Sequence, residues 1–247
     1  MLKQIFAIFC FLCPLVVLAD GSEKTYRVAI YNGPGAAEIC CDSSYDILDK
    51  EPDITPKTIS PEEIRQGELR HFDVVIFPGG TGSDQSQAIG EEGWKELRRF
   101  LNEGGGYFGT CAGAYLALTK NRADGSLIDA KLKSDEWERG KAILKIELSQ
   151  EGTKILGDHP GLLDIHYENG PILTEAHNPN LTPYITLAYF RSEVADNDTP
   201  TGIQTDSPAI VAGKYGKGRV IISSPHPELT PALNDFLPPL VRYAAGD

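Results

Sequence analysis

The amino-acid sequence predicts an α/β fold in which helices pack on both faces of a mainly parallel sheet. Two observations carry this. Through the first half, short β-rich runs alternate with helical patterns, the rhythm of strands joined by helical crossovers. The run "VVIF" within "RHFDVVIFPGG" (70–80) is continuously apolar, which suits a strand covered on both faces rather than one. In chain order, "YRVAIY" (26–31) reads as a strand, and "GPGAAEICCDSSYDILDK" as a glycine turn and a helix. Residues 70–80 are a second strand. "EEGWKELRRFLNEGGG" (91–106) is an amphipathic helix with Trp94, Leu97, Phe100 and Leu101 on one side, stopped by glycine. "GYFGTCAGAYLALTK" is a short strand, a sharp turn and a helix. The second half is more strand-rich: 141–149, 170–176 and 184–193 read as strands, and 207–228 as a hairpin turning at Tyr215 to Lys217. A last helix carries Leu233, Phe236, Leu237, Leu240 and Val241, with Pro238 and Pro239 interrupting or beginning a helical segment. No internal repeat or low-complexity linker divides the chain.

The chain has 247 residues and a formal charge of -12, with no basic stripe interleaved with aromatics, so nucleic acid is not an expected partner. Residues 1–19 combine Lys3, an apolar run from Ile5 to Leu18 and a small residue at Ala19, the pattern of a secretory signal peptide. The expectation is therefore a secreted or periplasmic protein with no stable membrane anchor after cleavage, residues 20–247 forming a single domain. Of five cysteines, Cys40, Cys41 and Cys111 remain in that domain, and an odd number in an oxidising compartment flags a free thiol. Cys40 and Cys41 read either as a vicinal disulfide or as two small residues on a helix. No Cys-x-x-Cys or His/Cys ladder suggests a metal site, and no cofactor is expected. His71, His159 and His177 lack metal-ligand spacing. Asn180 and Asn197 match the glycosylation acceptor pattern, a short motif that also arises by chance.

Cys111 lies between Gly109 and Gly113, where a strand would turn sharply into a helix. In that context flanking glycines relieve crowding and hold the apex side chain out over the sheet end, while the helix N-terminus favours the thiolate. A nucleophile needs a base, and the base an orienting group. "SSPHPE" supplies His226 and Glu228, two residues apart and therefore on one side of an extended backbone. The loop "FPGGTGSDQ" adds backbone amides at Gly79 or Gly80 that would pair with that of Ala112 as an oxyanion hole. "HYENGP" offers His166, Tyr167 and Asn169 as pocket residues, although Asn169–Gly170 is also ordinary turn chemistry.

Taken in order, "FPGG", "GTCAGAYLA" and "KGRVIISSPHPE" resemble the class I glutamine amidotransferase-like superfamily. The opening "YNGPGA" with "GTCAGAYLA" resembles its biotin-protein ligase N-terminal-domain-like branch. The resemblance implies a flavodoxin-like three-layer sandwich with a Cys111–His226–Glu228 triad, and Asn32 at the pocket edge. Where glutamine-using members carry Gln, four residues after the nucleophile, this chain has Tyr115, which puts glutamine in question as a substrate and makes Tyr115 a candidate pocket residue. No GxxxxGK(S/T) loop supports ATP use, and no length remains for a ligase catalytic domain, so ligase activity is not expected.

Three functional readings follow. The first is an exported cysteine hydrolase of small-molecule or peptide-like amides, working through a thioester. The second is a binding module on the same fold without turnover. The third is a redox-responsive protein in which Cys40 or Cys41 resolves an oxidised Cys111. Oligomeric state is not encoded in any motif.

Overall fold

The computed structural model describes residues 24–118 and 125–247; the signal-peptide pattern at 1–19 lies outside them. In chain order the elements are β1 (Tyr26–Tyr31), α1 (Glu38–Leu48), β2 (Ile54–Ile59), α2 (Pro61–Arg65), β3 (Val74–Phe77), α3 (Gly82–Glu103), β4 (Gly106–Thr110) and α4 (Ala112–Ala117). There follow β5 (Ala130–Leu132), β6 (Lys141–Leu148), α5 (Gln150–Leu156), β7 (Leu163–Glu168), β8 (Leu173–Glu175), β9 (Ile185–Phe190), β10 (Pro208–Tyr215), β11 (Gly218–Ser223) and α6 (Leu237–Ala244).

Nine strands form one sheet in the order β2-β1-β3-β4-β11-β10-β9-β6-β7, and β5 pairs with β8 separately. The run from β2 to β11 is parallel, and the hairpin β10–β11 reverses direction so that the remaining pairings are antiparallel. The fold class is the expected mixed α/β sandwich. Its layers follow from the two-residue period of strands. Val28, Ile30, Val74, Ile76, Phe108 and Ile221 face one core with α1, α5 and α6. Ala29, Tyr31, Val75, Phe77, Tyr107 and Ile222 face the other with α3 and α4. On that second face Tyr31, Phe77 and Tyr107 stack in a row, their centroids 4.9 and 5.5 Å apart.

Several elements go beyond the sequence reading. β2 contains Pro56, which a strand accepts because β2 is an edge with one neighbour, β1. α3 begins at Gly82, well before the expected start at 91, and kinks at Gly90, where φ is 61° and ψ -171°. Trp94 Nε1 donates to Ser86 Oγ at 3.0 Å across that kink. The stretch holding His166 and Tyr167 is a strand, β7, and only Asn169–Gly170 form the turn beyond it. Pro238 and Pro239 fall in the first turn of α6, where missing N–H donors cost nothing. Among the described residues no helix is long and apolar enough to cross a membrane.

Candidate active site

The ends of parallel strands β3, β4 and β11 bring the chemistry together. β4 runs into Cys111, whose φ of 48° and ψ of -100° lie outside the regions a side-chain-bearing residue ordinarily adopts. Two close approaches enforce this apex. A Cβ on Gly109 would lie 2.5 Å from the Gly113 carbonyl oxygen, and one on Gly113 would lie 2.0 Å from that of Phe77. The Cys111 amide donates to Ser223 O at 2.9 Å, tying the turn to the end of β11. Its thiol donates to the Glu168 carbonyl at 3.3 Å.

His226 follows β11 and is nearly fully buried. Its amide donates to the His166 carbonyl at 2.8 Å, and Thr230 Oγ1 donates to its carbonyl at 2.8 Å, so its backbone is fixed from β7 and from the following turn. Nδ1 contacts Glu228 Oε1 at 2.8 Å, and Thr110 Oγ1 reaches the same oxygen at 3.2 Å. With Nδ1 committed to Glu228, Nε2 is the ring nitrogen left to exchange a proton with Cys111. Burial pushes the imidazole towards its neutral form, but the Glu228 charge and hydrogen bonds with Cys111, Cys40 and Glu228 outweigh it and raise its pKa well above the usual value. His166, whose ring lies 5.6 Å from that of His226, moves the other way because of burial and the His226 charge.

A raised histidine pKa contributes stability that is full below the unfolded value of about 6.5 and is lost as pH rises through the folded value. Glu228→Gln should remove that contribution. The Tm gap between wild type and variant is expected to be widest near pH 6 and to narrow steadily in alkaline solution; a gap that widens with pH would contradict the His226–Glu228 assignment.

The cavity over Cys111 measures about 650 Å³ and is lined by Gly80, Ala112, Tyr115, Asn169 and His226, among others. Tyr115 donates its hydroxyl to the Asn169 carbonyl at 3.0 Å, and burial keeps the phenol protonated. Ala112 opens α4, so its N–H precedes the helical hydrogen-bond ladder, and the residue lines the same cavity as Gly80.

Four expected residues lie elsewhere, and one of them is His166, which stands beside the His226 ring but outside the lining. Gly79 packs beneath His226, where a Cβ would sit 2.6 Å from Cε1, and so it provides room rather than cavity surface. Asn32 is exposed and outside the lining, its amide extending the β1–β2 ladder to Ile59 O at 2.9 Å. Tyr167 points into the core and donates to Gly170 O at 2.7 Å. Burial on the core face of β7 withdraws it from the cavity.

The structure adds Cys40 to the cavity, a residue the sequence offered as half of a vicinal pair, as a small helical residue or, with Cys41, as a resolving cysteine. Both thiols of that pair are free, as is Cys111. Successive helical residues point about 100° apart. Accordingly Cys40 lines the cavity with Sγ 3.8 Å from His226 Nδ1, whereas Cys41 turns to the Tyr31 carbonyl. Burial raises the Cys40 pKa and keeps it a thiol. Cys40, His226 and Glu228 place three donors within 4.8 Å of one another, a set a thiophilic divalent ion accepts. The Nδ1–Glu228 hydrogen bond occupies the ring nitrogen such an ion would need, so the two uses exclude each other.

The fold is that of glutamine amidotransferase-like structures. A ThuA-like protein of Bacteroides uniformis aligns with a TM-score of 0.62 at 14% identity, over 92% of this chain and 94% of its own. The PurLQS structure from Thermotoga maritima aligns at 0.60 and 14%, over 90% and 97%. A cytoplasmic protein of Salmonella typhimurium LT2 aligns at 0.56 and 12%, over 88% and 99%. Such identities speak for fold. Residues 26–124 match the family "Biotin-protein ligase, N terminal", a segment running from β1 through α4 and containing Cys111.

Proposed function

We propose that this chain is an exported cysteine-dependent hydrolase of carboxamides or peptide-like amides. The observation that carries the reading is the strained Cys111 apex in a cavity shared with His226, itself held by the buried Glu228 carboxylate at 2.8 Å. Cys111 sulfur bonds to the substrate carbonyl carbon as His226 Nε2 takes the thiol proton. The amides of Gly80 and Ala112 receive the developing oxyanion. The carbon–nitrogen bond then breaks, His226 gives its proton to the leaving amine, and a thioester remains. Water, deprotonated by His226, attacks the thioester and releases the carboxylic acid and the thiol. Glu228 holds the imidazole orientation and favours its charged form. Export rests on the N-terminal signal-peptide pattern.

The test is a panel of primary and secondary amides, read by amine release and by rapid-quench mass spectrometry of the intact chain. Amine release with a transient acyl adduct mapped to Cys111 is the expected result. Amine release without any adduct, or with one on another residue, would overturn the thioester route, and no release from any amide would favour a binding role.

A further inference from the structure

We infer that the Cys111 cavity selects amides bearing an aromatic or bulky apolar group and no carboxylate, with Trp137 and Ile39 as specificity-determining contacts. This rests on the reading of Cys111 as the nucleophile. Among the described residues five large apolar side chains stand exposed, and two of them, Trp137 at 53% and Ile39 at 65%, line this one cavity. Ile143, Leu162 and Ile185, the other three, lie outside it. Leu132 and Leu229 extend the apolar wall. Large apolar groups left in water at the mouth of a concave site recover hydration free energy only when a ligand covers them, and a rigid indole does so with little loss of side-chain freedom.

The polar lining points the same way. It contains the carboxylates of Asp135 and Glu168 and, among the described residues, no lysine or arginine. The buried guanidinium of Arg139 lies behind Tyr115 and outside the lining, donating to Pro200 O at 2.8 Å with Glu193 at 3.8 Å. His226, the one cationic group that the described residues bring to the lining, is already neutralised by Glu228 at 2.8 Å, and Glu168 is held by Lys141 at 2.8 Å. A free amino-acid carboxylate such as that of glutamine would therefore be desolvated with no lysine or arginine to receive it. Tyr115 spends its hydroxyl on the Asn169 carbonyl and leaves its ring to the cavity, adding to the apolar character.

The test compares Cys111 alkylation by iodoacetate, iodoacetamide and N-(2-phenylethyl)iodoacetamide, each rate divided by that of the same reagent with a free thiol. It is carried out on wild type, Trp137→Ala and Ile39→Ala, both positions being exposed enough to spare the fold. Wild type is expected to favour the phenylethyl reagent over iodoacetamide by about tenfold or more and to react slowest with iodoacetate. Trp137→Ala should lose most of the aromatic preference while keeping its iodoacetamide rate within about twofold, and Ile39→Ala should lose part of it. Rapid labelling with no preference, or with iodoacetate favoured, would overturn the specificity and leave the nucleophile standing. No labelling of Cys111 by any reagent would overturn both.

Discussion

Cys111→Ser is expected to lower amide turnover by at least about a thousandfold while leaving Tm nearly unchanged. The exchange removes one atom's polarisability and acidity but preserves shape, so the strained turn set by Gly109 and Gly113 survives it. An alcohol holds its proton far more tightly than a thiol, so the transfer to His226 that the Glu228 carboxylate favours for sulfur lies uphill for oxygen. His226→Gln, close in volume and still polar, should cost a comparable factor, because the sulfur then has no acceptor for its proton and the amine no donor. The two losses are expected not to add. Once either partner is missing the unit has failed, so the double variant should be no slower than the slower single one. The measurement is turnover of the best amide from the panel. If Cys111→Ser kept a tenth of it, the nucleophile would lie elsewhere, and Cys40, on the same ring, would be the first place to look.

The grouping of Cys111 with His226 and Glu228 was largely legible because its geometry is local. Gly-x-Cys-x-Gly after a strand, and His-x-Glu after another, each fix their own side-chain directions, and parallel strands end on one edge. Gly80, Ala112, Tyr115 and Asn169 came with them. What sequence could not supply was contact across the fold. Whether Tyr167 faces the cavity or the core depends on the register of β7 against β6, Tyr167 pairing with Ala142, and a shift of one residue inverts the answer. Cys40 and Cys41 are indistinguishable until the face of α1 that meets the sheet is known. Trp137 lies in the segment joining β5 to β6, where no periodicity marks it.

Some signals were present and unread. "SPEE" is a full capping box for α2: Ser60 Oγ accepts from the Glu63 amide at 3.2 Å, Glu63 Oε2 accepts from the Ser60 amide at 2.8 Å, and Pro61 opens the helix. β2 was overlooked for a better reason, since proline and lysine in "ITPKTI" weaken the strand pattern and only its edge position makes that sequence acceptable.

Gly113→Ala is expected to destabilise the fold by about 3 kcal/mol or more, a Tm drop of roughly 6–12 °C for a chain of this size. The reason is purely steric. Gly113 does not have a positive φ, so alanine suits its backbone conformation, but the added methyl would sit 2.0 Å from the Phe77 carbonyl and 3.0 Å from Phe77 Cβ. Phe77 cannot yield freely, because it ends β3 and its ring is stacked between Tyr31 and Tyr107. Tyr107 in turn donates its hydroxyl to the Gly113 carbonyl at 2.7 Å, so a shift of residue 113 also strands a buried phenol. Gly157→Ala supplies the contrast: a Cβ meets nothing within 4 Å there, but φ +88° and ψ -178° fall in a region essentially reserved for glycine, so only backbone strain is penalised, at about 1–3 kcal/mol. Thermal unfolding of the two variants beside wild type separates crowding from backbone strain. A Gly113→Ala protein as stable as wild type would mean that α4 can back away from β3. The close approach would then not be what holds Cys111 at its apex.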